Sequence, residues 1–130
     1  MRPTRVATLD ELADREPAYA LVGNVDLVVV RFDAQVSVFY GRCLHRGALL
    51  ADGHVRGEDL ICGVHNWDYR LDTGVSEYNN AEALHRFEAR IDDERDAVLV
   101  DELEVAAWER QHPQPFRRDD YLGLYADPHG

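Results

Sequence analysis

Two short stretches, CLHRG at 43–47 and CGVH at 62–65, constrain this chain more than any other feature. They read Cys43-x-His45 and Cys62-x-x-His65, with sixteen residues between His45 and Cys62. The chain has two cysteines, and both sit in these pairs. If the four side chains converge, the two stretches must be loops facing one another. Strands joined by short turns are the simplest framework that meets this demand.

The surrounding sequence supplies such strands. VDLVVVRF (25–32) is rich in β-branched residues, FDAQ reads as a turn, and QVSVFY (35–40) follows with apolar and polar residues in alternation, so 25–40 is predicted to be a hairpin. DLICGV (59–64) reads as a buried strand interrupted by Gly63, and WDYRLDTGVSEY (67–78) as a hairpin turning at Asp72-Thr73-Gly74. HRFEARIDDERDAVLV (85–100) reads as two strands joined by an acidic turn. Thr8 with Glu11 fits a capping box, which predicts a short helix from Leu9 to about Arg15, ending before Pro17. DELEVAAWERQ (101–111) suits either a helix or an extended segment. These elements make an all-β, mostly antiparallel domain with small α content, carrying the Cys/His pairs on loops.

Size and charge exclude several classes. At 130 residues the chain is one domain by length, and such a domain buries roughly two-thirds of its unfolded surface, so it needs no metal merely to fold. The longest aliphatic run, LVVV at 27–30, is far short of the ~20 residues of a membrane helix. The N-terminus, MRPTRVATLDEL, lacks the apolar segment of a secretion signal, so a cytoplasmic location is expected. The net charge of −11 comes from 25 acids against 14 bases, all of them arginine, and argues against nucleic acid as a partner. Acids are dense in IDDERDAVLVDELE (91–104), which is either a solvated face or a surface for a basic partner.

Three chemistries fit the pairs. Cys43 and Cys62 can be ordinary buried thiols, with a disulfide disfavoured in a reducing compartment. Two thiolates and two imidazoles can hold a structural zinc, although zinc fingers usually group cysteines with cysteines and histidines with histidines. Or the four can hold a [2Fe–2S] cluster in which histidines replace two cysteines on one iron. Mixed pairs suit the last arrangement, since each loop then contributes one thiolate to the first iron and one imidazole to the second. Gly41, Gly47 and Gly63 flank the ligands, where small residues allow backbone N–H groups to approach sulfides.

CLHRGALLADG followed by CGVHNWDYRLDTG resembles the motif of the Rieske [2Fe–2S] family, most closely its ferredoxin and ring-hydroxylating-oxygenase branch. The resemblance covers residues 18–105. It implies an antiparallel Rieske-type β-sandwich or barrel with a cluster-binding subdomain of two facing loops (41–48 and 60–68) in a domain spanning 1–110. It further implies that Cys43 and Cys62 hold the inner iron, and His45 and His65 the outer one. Gly47, Gly63, Trp67 and Tyr69 are expected in the surroundings of the cluster. Leu44 stands where oxygenases usually have proline, which is expected to alter packing little, and Asn66 replaces a glycine. The second cysteine pair of respiratory-chain members is absent. Those proteins also place a serine where this chain has Trp67, whereas Tyr69 matches their tyrosine. With fewer hydrogen-bond donors, the potential is expected in the lower half of the family's range of about −150 to +300 mV.

His54, His85, His112 and His129 show no spacing suited to a second metal, so a mononuclear iron site for oxygenation is not expected. The expected function is electron transfer as the ferredoxin component of a multicomponent oxygenase, with a reductase and an oxygenase as redox partners. A small Rieske subunit docked on another oxidoreductase, such as a flavoenzyme, is the alternative, and a structural zinc or binding module is a further one. The tail at 111–130 carries Pro113, Pro115 and Pro128 among apolar residues such as Phe116 and Tyr121. It suits a segment that wraps over its own domain or docks a partner, including a second copy of the chain.

Overall fold

A computed structural model of the chain describes residues 2–44, 47–63, 67–77 and 81–112. Among them are strands β1 Pro3–Thr8, β2 Ala18–Val22, β3 Val25–Phe32, β4 Gln35–Tyr40, β5 His54–Arg56, β6 Asp59–Ile61, β7 Asp68–Arg70, β8 Arg86–Phe87, β9 Ala89–Asp92 and β10 Ala97–Asp101. Helix α1, Glu102–Gln111, follows β10 directly. The strands form three sheets in the orders β1-β10-β9, β2-β3-β4-β8 and β5-β6-β7. All pairs within them are antiparallel.

The middle sheet is a wall between two cores, and this explains the unbroken aliphatic run. Val25, Leu27 and Val29 of β3 pack with Val38, Val98 and Val100 in one core. Val28, Val30 and Phe32 pack with Phe39, Cys43, Leu60, Cys62 and Tyr69 in the other. A strand covered on both faces reads as a continuous apolar run rather than an alternating one. Strand β4 is likewise buried throughout Val36–Tyr40, so the alternation in its sequence does not mark a solvent face. Its polar member, Ser37, donates its hydroxyl hydrogen to the Leu71 carbonyl at 2.8 Å.

The predicted hairpin at 25–40 is present in register, with Phe32 opposite Gln35. Asp33 and Ala34 both take positive φ, 49° and 63°, as the two-residue turn of a right-twisted hairpin requires. The pair across the acidic turn is also present, with Asp92 opposite Ala97. In 67–78 the turn closes through the Gly74 N–H to the Arg70 carbonyl at 2.8 Å. Among the described residues there, only Asp68–Arg70 is a full strand, and the returning arm makes isolated bridges at Val75 and Ser76.

The helix expected from Leu9 to Arg15 is not formed. A single 3₁₀ turn spans Leu9–Glu11, and Thr8 makes no side-chain cap. The cause is tertiary. Strand β2 begins opposite Val29, leaving one side of Arg31 open. Asp14 and Arg15 occupy that side, with the Arg15 N–H on the Arg31 carbonyl at 2.7 Å. Local helix preference amounts to tenths of a kcal/mol per residue and yields to such pairing. At the other end the undecided segment 101–111 is helical. Asp101 caps it, accepting from the Leu103 N–H at 2.9 Å.

Candidate metal centre

Both motif cysteines head six-residue loops that are tied off at their bases. Cys43 donates its N–H to the Ala48 carbonyl at 2.8 Å, and its own carbonyl accepts from Gly47 N–H at 2.7 Å. Gly47 reaches this geometry with φ at 76°, which an L side chain would resist. In the second loop, which joins β6 to β7, Cys62 donates its N–H to the Trp67 carbonyl at 2.7 Å. In sequence His45 falls inside the first loop and His65 inside the second. Both histidines lie outside the described residues, as does Asn66.

The loops are set against each other by backbone contact. Gly41 packs so tightly on β3 that an added Cβ would stand 2.7 Å from the Leu27 carbonyl carbon. Its N–H reaches the Asp26 carbonyl at 2.7 Å, and its carbonyl accepts from Leu50 N–H at 2.8 Å. The chain leaving the first loop makes a 3₁₀ turn, Leu50–Asp52, and Gly53 then lies directly on the Ile61 carbonyl at the entry to the second loop. Gly63 packs on that turn less tightly, its missing Cβ 3.2 Å from the Asp52 carbonyl oxygen.

Tyr69, on β7 just past the second loop, is fully buried and reaches the first. Its hydroxyl oxygen accepts the Leu44 N–H at 3.1 Å and lies 3.4 Å from the Cys43 Sγ. When Cys43 is a thiolate, only the tyrosine can be the donor of that contact. Burial, and then the neighbouring Cys43, push the phenol above its ordinary range, with Cys62 near enough to add to the effect. Tyr69 therefore stays protonated and keeps its hydrogen for the sulfur. Leu44 proves to be more than a packing change: its N–H orients the tyrosine hydroxyl, which a proline at that position cannot do. Trp67 packs partly buried against the same core.

This donor set fits a thiolate-bound cluster. Cys43 and Cys62 are buried at 1% and 0% exposure, belong to one apolar cluster and are not joined in a disulfide. Soft thiolates in a dry pocket with a hydrogen-bond donor on one sulfur suit iron–sulfur chemistry. Residues 2–88 match the Rieske [2Fe-2S] domain family. This chain belongs to that family. Its cofactor is the family's [2Fe–2S] cluster, which supplies one-electron chemistry when bound.

The chain is similar to the ferredoxin component of an alkene monooxygenase system from Xanthobacter autotrophicus, 29% identical over 70 residues. That match spans 53% of this chain and 57% of the relative, so only little more than half of the relative's length is covered. Among solved structures it is similar to the ferredoxin of carbazole 1,9a-dioxygenase from Nocardioides aromaticivorans IC177, at 26% identity and a TM-score of 0.69, covering 77% of this chain and 97% of that one. A complex of reduced oxygenase and oxidized ferredoxin in carbazole 1,9a-dioxygenase includes a chain with the same fold, at 22% identity and a TM-score of 0.66, covering 75% of this chain and 91% of that one.

Several features of the site went unread in the sequence. Arg42, which precedes Cys43, is buried at 2% exposure and paired with Asp26 at 2.7 Å, itself at 4% by side chain. Asp26 carries the one visible signal, a carboxylate at the head of a strand that is otherwise apolar as far as Val30. Gly53, eight residues after His45, carried none, since a glycine there is indistinguishable from a turn residue.

Proposed function

We propose that this chain is a one-electron carrier, with Cys43 and Cys62 holding the inner iron of its cluster and His45 and His65 the outer one, and that it passes electrons between a reductase and a terminal oxygenase as a ferredoxin component. The observation that carries the reading is that the two motif cysteines share one buried cluster with Tyr69, whose hydroxyl lies 3.4 Å from the Cys43 Sγ, and that each cysteine's backbone N–H closes a loop that contains a motif histidine. Neutral imidazoles help here by charge. Two ferric ions, two sulfides and two thiolates sum to zero, so the added electron meets less repulsion than at a four-thiolate cluster.

The relatives support the role: the chain is similar in sequence to an alkene monooxygenase ferredoxin and in fold to a dioxygenase ferredoxin. Among the described residues no helix is long and apolar enough to cross a membrane. We assign the protein to the cytoplasm with soluble redox proteins as its partners. The functional domain takes in residues 1–110, because Val98, Val100 and Val105 complete the first core beyond residue 88. Of the tail at 111–130, Gln111 ends helix α1 and His112 caps it, while 113–130, with the expected docking or self-association, lies outside the described residues.

The test is reconstitution. The reduced protein is mixed with candidate terminal oxygenases and reductases from its host, and its reoxidation is followed by stopped-flow absorbance. Rapid electron transfer to an oxygenase supports the reading. Transfer only to a flavoenzyme would replace it with that of a small subunit docked on such an enzyme.

A further inference from the structure

The Asp26–Arg42 pair is the unexplained feature of this molecule. Taking two charges out of water costs several kcal/mol per ion, and an apolar pair of similar volume often does as well or better. Stability alone does not account for it. Its geometry is unusually complete. Arg42 Nε donates to Asp26 Oδ2 at 2.7 Å, and Arg42 Nη1 donates to the Gly47 carbonyl at 2.8 Å. Asp26 Oδ1 accepts the Tyr19 hydroxyl at 2.6 Å.

The pair also has a direction. Arg42 adjoins Cys43, and the carbonyl it holds belongs to Gly47, whose N–H closes the first loop on the Cys43 carbonyl. The guanidinium therefore bonds the loop directly, while the carboxylate belongs to β3 and binds the guanidinium and the Tyr19 hydroxyl. A fixed dipole with its positive end toward a site that gains an electron stabilises the reduced state, strongly so where water is excluded.

We propose that Arg42 is a positioning residue of the first cluster loop and that the Asp26–Arg42 pair is a buried dipole that sets the reduction potential. The proposal rests on the reading that Cys43 holds the cluster. Removing the carboxylate and removing the guanidinium then move the potential in opposite directions, an outcome that a merely structural brace does not produce.

The experiment uses the full-length, cluster-loaded protein and three variants: Asp26→Asn, Arg42→Gln and the double variant. Iron and sulfide per chain are measured first, then the midpoint potential by spectroelectrochemistry. The expected result is a higher potential in Asp26→Asn, a lower one in Arg42→Gln, and a return toward the wild-type value in the double variant. If Arg42→Gln fails to take up the cluster, Arg42→Lys, which keeps the charge, is expected to load it near the wild-type potential, and Asp26→Asn decides the electrostatic claim. Loaded variants whose potentials are unchanged, or move the same way, overturn the inference while leaving the ligand reading intact. A wild-type protein without iron and sulfide would overturn the ligand reading instead.

Discussion

Replacing Gly53 by alanine is expected to damage the protein through contact alone. The residue is extended, at φ −86° and ψ −153°, so alanine can adopt its backbone. The added methyl, however, would overlap the Ile61 carbonyl oxygen and stand 3.1 Å from the Ile61 carbonyl carbon and 3.3 Å from Gly63 N. All three are backbone atoms and cannot rotate away. Relief requires β5 and β6 to part near the His54–Ile61 pair, which shifts Cys62, the next residue along. Overpacking costs about 1–3 kcal/mol, and a lost ladder hydrogen bond adds about 1 kcal/mol. A total of about 3 kcal/mol is a large share of a stability of roughly 5–15 kcal/mol. Gly57→Ala is the control: that glycine has φ at 61° with open space around it, so only backbone strain of about 1–2 kcal/mol opposes a methyl. Urea unfolding followed by tryptophan fluorescence, with iron counted per chain, compares the two. Gly53→Ala is expected to unfold at lower urea and to hold less iron. If it matches Gly57→Ala on both counts, the two loops are not locked together through Gly53.

Tyr69→Phe removes the donor to Cys43 Sγ and the acceptor for the Leu44 N–H, so the potential should fall and stability drop by about 1–2 kcal/mol. Square-wave voltammetry checks the first, and an unchanged potential would mean that the hydroxyl does not act on the sulfur. His85 packs edge-on against Phe87 at 4.6 Å and near Trp108 and His112; burial, then the neighbouring His112, lower its pKa below the ordinary 6.5. Because the folded pKa is depressed, the associated stability is present above pH ~6.5 and is lost as pH falls below it. Urea midpoints measured from about pH 7 to 5 should fall more steeply for the wild type than for His85→Gln, and equal slopes would contradict this.

What could be read from the sequence follows from how local its causes are. The hairpin at 25–40 was legible because β-branched runs and a two-residue turn act over neighbouring positions. The cluster motif was legible because its chemistry fixes residue types and spacing. Strand β1 was not, since PTRVAT has no clean alternation and pairs with β10, 89 to 98 residues away. Strands β2 and β5 were also missed, being short and held by their partners. The false helix at 9–15 shows the same cause with the opposite sign: a valid local signal lost to pairing along Arg31. At the site, the cysteines and Tyr69 were readable from the motif, whereas the Asp26–Arg42 pair depends on burial that only the folded chain displays.

The central claim is that this fold holds a Rieske cluster, and metal analysis tests it most directly. The protein is purified anaerobically, iron, sulfide and zinc are counted per chain, and an EPR spectrum is recorded after dithionite reduction. The account predicts about two irons and about two sulfides, with the low average g value of a histidine-ligated [2Fe–2S] centre. About one zinc and a silent spectrum would contradict it, leaving the buried thiols with a structural metal.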